Sequence, residues 1–229
     1  MRPADKSPYE RAWQSTLQEM GTPLRDIEFV VVDLETSGAA PHLGAGITEI
    51  AAVRIQGGEI KDTFTTLINP GHPIPRQITN LTGIDAAMVE DAPEIGSVLD
   101  SLIEFMGDNE TVFVAQNAPF DLSFLKAAAR SHGKKWPKQR ILDTAILARK
   151  ILTTDEAINC KLSTLAQIFG AEIKPTHRAL DDVHATIDVL HGLFERLAGF
   201  DVYTIEEALS FSLEKQSSGS VWPTSPAKP

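Results

Sequence analysis

Cysteine is nearly absent from this chain: one residue, Cys160, in 229. A lone thiol makes no internal disulfide, and Cys160 has no Cys or His neighbour at zinc-finger spacing. A disulfide-stapled fold and a structural zinc site are therefore excluded, and the residue reads as a small apolar filler in a reducing cytoplasm. Long apolar runs are missing too: nothing approaches the ~20 residues needed to cross a bilayer, and the opening MRPADKSPYERAW is polar and mixed in charge. The expectation is a soluble cytoplasmic protein with no membrane partner. Basic charge is also scarce, with 21 Lys and Arg against 31 Asp and Glu and a net charge of −10. That balance argues against the broad basic surface that grips a duplex through its phosphates. It leaves room for chemistry on a phosphate, because acids gathered around divalent cations make the local charge positive.

What is present is a composition of 42% hydrophobic residues, enough for one sizeable core. Asp5 to Met20 reads as a peripheral helix, interrupted by Thr22-Pro23. Phe29-Val30-Val31-Val32 is β-branched and nearly continuous, as a strand covered on both faces should be. Strands are predicted at Thr48 to Ile55 and Glu59 to Ile68, joined by Gly57-Gly58 as a hairpin. Helical spacing then places Ile95, Val98, Leu99, Leu102, Ile103 and Met106 on one face. Thr111 to Ala115 is a short strand feeding a helix that has Pro119 in its first turn and Phe120, Phe124, Leu125 and Ala128 along it. A weaker strand at Arg140 to Leu142 is followed by helices at about Thr144 to Leu152 and Lys161 to Phe169. The last long helix turns Val183, Ile187, Leu190, Phe194 and Leu197 inward. A meander of strands followed by alternating strands and helices indicates a mixed α/β layer architecture. From Ser217 the sequence SSGSVWPTSPAKP lacks periodicity and reads as a flexible tail.

The chemistry begins at Val32-Asp33-Leu34-Glu35, where two carboxylates two residues apart on a strand point to one face and raise each other's pKa unless a cation lies between them. Hard oxygen ligands of this kind suit Mg²⁺ or Mn²⁺. The same spacing in Asp108-Asn109-Glu110 lies in a Gly-preceded polar turn and reads as a solvated loop. The first pair differs in position, directly after a buried strand, where open α/β sheets place their ligands. Asp121 follows the next strand in Gln116-Asn117-Ala118-Pro119-Phe120-Asp121; taken alone, it is also explained as an acid in a helix first turn. In His177-Arg178-Ala179-Leu180-Asp181-Asp182 an offset of five would turn His177 and Asp182 apart on a continuous helix. His177 is therefore expected in a mobile loop, with Asp182 on the helix. Asp181 suits a cap or the surface, and His184 with Asp188 forms an ordinary exposed i,i+4 pair.

These segments resemble the three exonuclease motifs of the DEDDh family, the DnaQ-like 3′→5′ exonucleases. The likeness runs from about Ile27 to Leu197 and includes Ile47-Thr48-Glu49-Ile50, Leu81-Thr82-Gly83-Ile84, Leu142-Asp143-Thr144 and Lys161-Leu162-Ser163-Thr164-Leu165. The resemblance implies an RNase H-like fold, a five-stranded mixed sheet flanked by helices. It implies that Asp33 bridges two divalent cations, Mg²⁺ or Mn²⁺, that Glu35 and Asp182 complete the tighter site, and that Asp121 supports the second. Two such ions roughly 4 Å apart clamp the attacking and leaving oxygens of a phosphodiester. His177 is the implied general base, Thr36 meets the terminal nucleotide, and Phe120 packs either on its sugar or base or in the core. Asn117 belongs to the same substrate-binding segment, where Gln116-Asn117 replaces the His-Asn pair of many relatives.

The resulting organisation is an N-terminal helical extension over 1–24, an exonuclease domain over 25–200, a C-terminal helical extension over 201–216 and a tail over 217–229. The expected substrate is a single-stranded or frayed DNA 3′ end, in proofreading or repair beside a polymerase or repair nuclease. An exoribonuclease and a catalytically silent nucleic-acid-binding or polymerase-tethering module are the alternatives. Lys134, Lys135, Lys138 and Arg140, with Trp136 among them, form either a solvated loop or a guide for a single strand by charge and stacking.

Overall fold

The computed structural model describes residues 21–212; the expected helix at Asp5 to Met20 and the tail from Ser217 lie outside them. Five strands form one sheet: β1 (Phe29–Thr36), β2 (Ile47–Gln56), β3 (Glu59–Leu67), β4 (Val112–Ala115) and β5 (Arg140–Asp143). Their order is β3-β2-β1-β4-β5, antiparallel on the β2 side of β1 and parallel on the β4 side. Gly57 and Gly58 both take positive φ, 62° and 82°, and turn β2 into β3 as the sequence predicts. The helices are α1 (Arg76–Thr82), α2 (Ala86–Val89), α3 (Ile95–Met106), α4 (Ala118–Ser131), α5 (Thr144–Ile151), α6 (Leu162–Phe169), α7 (Ala179–Ala198) and α8 (Ile205–Ser210). This is the RNase H-like architecture the motifs imply. Among the described residues no helix is long and apolar enough to cross a membrane.

Side chains alternate across β1, and that alternation builds two cores. Phe29 and Val31 join Val183, Leu190 and Leu197 of α7 with residues of α5 and α6 on one face. Val30, Val32 and Leu34 join Leu102 and Met106 of α3 and Leu122 and Leu125 of α4 on the other. A strand buried on both sides has no need of a polar face, which is why its first four residues are uniformly apolar. Phe194 on α7 is half-buried and packs its ring 5.4 Å from that of Phe29.

The other strands and the long helices fall close to the sequence reading, while β1 runs four residues further than Phe29 to Val32 and carries Asp33 and Glu35 itself. The helices α1 and α2 were not foreseen. At 7 and 4 residues they are too short to show a sustained apolar period, and Leu81 is 52% exposed. The segment after Asp201 is also tied down. Leu24 N–H donates to Tyr203 O at 2.9 Å and Ile205 N–H to Thr22 O at 3.0 Å, so the approach to β1 and the entry to α8 hold each other.

Candidate active site

Asp33 and Glu35 continue the alternation of Phe29 and Val31, so they point toward the α7 face at the carboxyl end of β1. There α7 presents Asp182 in its first turn, while α4, on the opposite face, presents Asp121 in its own. Helix first turns leave backbone N–H groups unpaired and carry partial positive charge, which suits both aspartates. Asp182 Oδ1 accepts from Thr176 N–H at 2.9 Å, and the backbone amide of His177 also favours its ionised form. The amides of Asp121 itself and of Leu34 do the same for Asp121.

These amides do not offset the gathering of acids. Burial, then Asp182, Glu49 and Asp121, push the Glu35 carboxyl up to about 8, against a smaller opposing effect of Arg178. Burial raises Asp121 to about 8 against its amide partners. Asp33 is driven well above the usual carboxylate range by burial and by Asp121, Asp182, Glu35 and Glu49 together. Asp182 is raised as well, by burial. The structure thus brings Asp33, Glu35, Asp121 and Asp182 into one electrostatic cluster.

His177 lies in the bend before α7, exposed, with φ at 61°. A histidine in the left-handed region costs about 1 kcal/mol or more, a strain found where a side chain is held for function. Its ring nitrogen and carboxylate oxygens of Glu35 and Asp182 lie within 4.8 Å of one another. Asp33 and Asp121 fall outside that triad. Oxygen and imidazole donors at this spacing, on acids that resist ionising together, fit a divalent cation.

The cluster opens into a cleft of about 430 Å³, within the range of small-molecule pockets, lined by Asp33, Glu35, Thr36, Phe120, Asp121 and His177. Thr36 Oγ1 donates to Gly38 O at 2.8 Å, which turns its remaining lone pairs free. Phe120 is half-exposed at the cleft and packs 5.2 Å from the Phe124 ring. Asn117 is exposed, does not line the cleft, and holds the turn into α4 with φ at 68°. Gln116 lines it instead, with both ends of its amide fixed: Nε2 donates to Cys160 O at 2.7 Å and Oε1 accepts from Thr144 Oγ1 at 2.5 Å. Gln77, Ile78, Leu81 and Thr82 of α1 form a further wall.

Two positions that carried no assigned role in the sequence turn out to fix this geometry. Buried Glu49 accepts from Arg178 Nε at 3.0 Å, Arg178 Nη2 at 2.7 Å and Ala179 N–H at 2.9 Å, so it pins the residue after His177 and caps α7. Asp143 accepts from Ala118 N–H at 2.9 Å, Ile146 N–H at 3.0 Å and, more weakly, Asn117 N–H at 3.4 Å, joining the starts of α4 and α5. A lone acid inside the apolar strand Ile47-Thr48-Glu49-Ile50 was the available signal for the first. As expected, Asp181 takes a peripheral role, accepting from Thr176 Oγ1 at 2.7 Å. Asp188 accepts from Glu172 N–H at 3.0 Å. Asp108 accepts from Glu110 N–H at 2.8 Å in the exposed turn predicted for it.

Comparison with known proteins places the chain in a family. The model of the RNase T family, described as exonucleases, matches residues 30–190. A Mycobacterium tuberculosis protein named as a bifunctional exonuclease/endonuclease is 49% identical over 195 residues, covering 82% of this chain. The chain spans only 30% of that protein's length. The DNA polymerase III subunit epsilon of Aquifex aeolicus is 38% identical over 176 residues, covering 76% of this chain and 84% of the subunit. Among solved structures, exonuclease X in complex with 5′ overhanging duplex DNA superposes with a TM-score of 0.61 at 26% identity, over 79% of this chain and 97% of that one. The chain belongs to the RNase T family of exonucleases, the DnaQ-like group that its motifs resemble.

Proposed function

We propose that the protein is a 3′→5′ exonuclease that shortens single-stranded or frayed DNA ends and releases nucleoside 5′-monophosphates. The observation that carries the reading is the convergence of four acids from β1, α4 and α7, with raised pKa values, beside an exposed histidine at the mouth of an open cleft. Asp33, Glu35, Asp121 and Asp182 are the groups that would hold two divalent cations, Mg²⁺ or Mn²⁺. When bound, such cations supply positive charge to the phosphate oxygens and acidify water.

The remaining chemistry belongs to the chain. The imidazole of His177 takes a proton from the attacking water, the new bond forms to phosphorus, the bond to the 3′ oxygen of the preceding nucleotide breaks, and that oxygen takes a proton from solvent. The shortened strand keeps a 3′ hydroxyl. Glu49 and Arg178 set the position of His177 from behind. Thr36 and Phe120 receive the terminal nucleotide, with Leu81 and Ile78 opposite, and Gln116 keeps the wall rigid. Asn117 acts through the turn into α4.

DNA as substrate, and proofreading or repair as setting, are supported by the epsilon subunit's part in DNA polymerase III and by the DNA complex of exonuclease X. A polymerase or a repair nuclease is the corresponding partner. The test is incubation of 5′-labelled single-stranded DNA and RNA, side by side, with Mg²⁺ or Mn²⁺. A ladder shortening from the 3′ end of the DNA, abolished by EDTA, is expected. Two intact substrates would remove the enzymatic reading, and shortening of RNA alone would replace the substrate.

A further inference from the structure

An acidic protein carries one long acid-free stretch that is rich in cations. Residues 122–142 contain six of the chain's 21 Lys and Arg and neither Asp nor Glu. Along α4, Pro119, Ser123, Lys126 and Arg130 are exposed at spacings of four, three and four, so they form one solvent-facing stripe. That stripe starts beside Phe120 and Asp121 at the cleft and runs roughly 16 Å away from it, about the span of five stacked nucleotides.

Alongside it, sharing Lys126, lies a groove of about 410 Å³ lined also by Trp136, Pro137, Lys138 and Gln139, among others. Trp136 is half-buried and packs against the core cluster that contains Phe113. Two of the six cations are neutralised: Lys134 meets Asp100 at 2.6 Å and Arg140 meets Glu206 at 2.8 Å. Among the described residues, no carboxylate pairs with Lys126, Arg130, Lys135 or Lys138, and all four are exposed. Unpaired cations running from an acid-rich cleft along an aromatic groove complement the charge of a phosphodiester strand. Tryptophan offers a face on which any base can stack.

We infer that this stripe and groove are a second contact surface for single-stranded nucleic acid, holding the part of the strand that lies 5′ of the nucleotide in the cleft. The direction of approach rests on the exonuclease reading; the surface itself does not. It offers a way for a chain of net charge −10 to hold a polyanion: four cations without a carboxylate partner lie within residues 126–138.

The test is fluorescence anisotropy of 5′-fluorescein-labelled dT15 in EDTA, across a salt series, for the wild type and for Lys126→Ala/Lys135→Ala/Lys138→Ala. The variant should bind dT15 roughly ten-fold more weakly, with a salt slope shallower by about 2, at ~0.7 per lost phosphate contact. Cleavage of dT3 in Mn²⁺, which reaches only the cleft, should be unchanged and shows that the variant is folded. Equal dT15 affinity and slope in the two proteins would overturn the inference, as would displacement of dT15 from this surface by a polyglutamate peptide of equal length. The two readings separate cleanly. Lysine-dependent binding in a protein that cleaves nothing would sink the exonuclease reading and leave the surface standing, and cleavage with unaltered binding in the variant would do the reverse.

Discussion

Glu35 and Glu49 stand directly opposite each other on β1 and β2, both buried, yet they have opposite fates. Glu49 receives three hydrogen bonds, two of them from a guanidinium. Glu35 receives none among the described residues and is pushed to about 8 by burial and by other acids. Asp143 and Asp121 repeat the contrast one layer away, the first joining two helix starts, the second left in the cluster despite two amide partners. Buried carboxylates are costly unless paired. Where the fold supplies the partners, the acid builds structure; where it leaves the charge unmet, the acid belongs to the proposed cation site. Burial and residue type alone do not separate the two classes, nor do amide partners for Asp121 and Asp182; what Asp33, Glu35, Asp121 and Asp182 share is a carboxyl raised by burial.

The sharpest way to break that contrast is to substitute one member of each class. Asp33→Asn should cost more activity than any other change, beyond the loss caused by His177→Ala, which should itself be about 10² to 10⁴ in kcat. Single-turnover cleavage of labelled DNA measures both. Asp33→Asn should leave Tm unchanged or higher, because it removes repulsion; a large drop in Tm would place Asp33 among the structural acids.

Glu49→Ala should behave in the opposite way. It frees Arg178 and the start of α7, and should lower activity about 10- to 100-fold, the range for groups that orient ligands from behind. It should also cost about 2 kcal/mol of stability, or roughly 4 to 8 °C in Tm for a domain of this size. Asp143→Ala removes two helix caps at about 1 kcal/mol each, giving a comparable fall in Tm by scanning calorimetry with a smaller change in kcat.

The contrast also shows in pH dependence. Folded-state carboxyls at about 8, raised from ordinary values near 4, stabilise the fold fully below the unfolded pKa and lose that contribution as pH rises through 8. In EDTA, Tm should therefore fall between pH 6 and pH 9. Added Mn²⁺ should restore it, and more so at pH 9, where the ligands are free of protons. A Tm flat with pH and blind to Mn²⁺ would put Glu35 and Asp121 in the class of Glu49.

Much of this was legible beforehand because it is local. Asp33 and Glu35 share a face by the two-residue period of a strand, and an offset of five forces His177 off the helix that carries Asp182. The Gly57-Gly58 turn and the doubly buried run Phe29 to Val32 are likewise local signals. What escaped the sequence depends on distant partners. Glu49 finds Arg178 across 129 positions, and Asp143 reaches Ala118 across 25. Gln116 is committed to Cys160 and Thr144 by packing that no spacing encodes. The cleft wall from α1 was missed because two turns of helix with an exposed Leu81 carry no apolar period.

The central claim is that the unmet acids form a cation site. Titration of Mn²⁺ into the metal-free protein at pH 8, followed by calorimetry, tests it most directly. Saturable binding that is weakened by Asp33→Asn and by Asp182→Asn, and left intact by Asp143→Asn, is the predicted result. No binding at millimolar Mn²⁺, or binding indifferent to Asp33 and Asp182, would contradict the account.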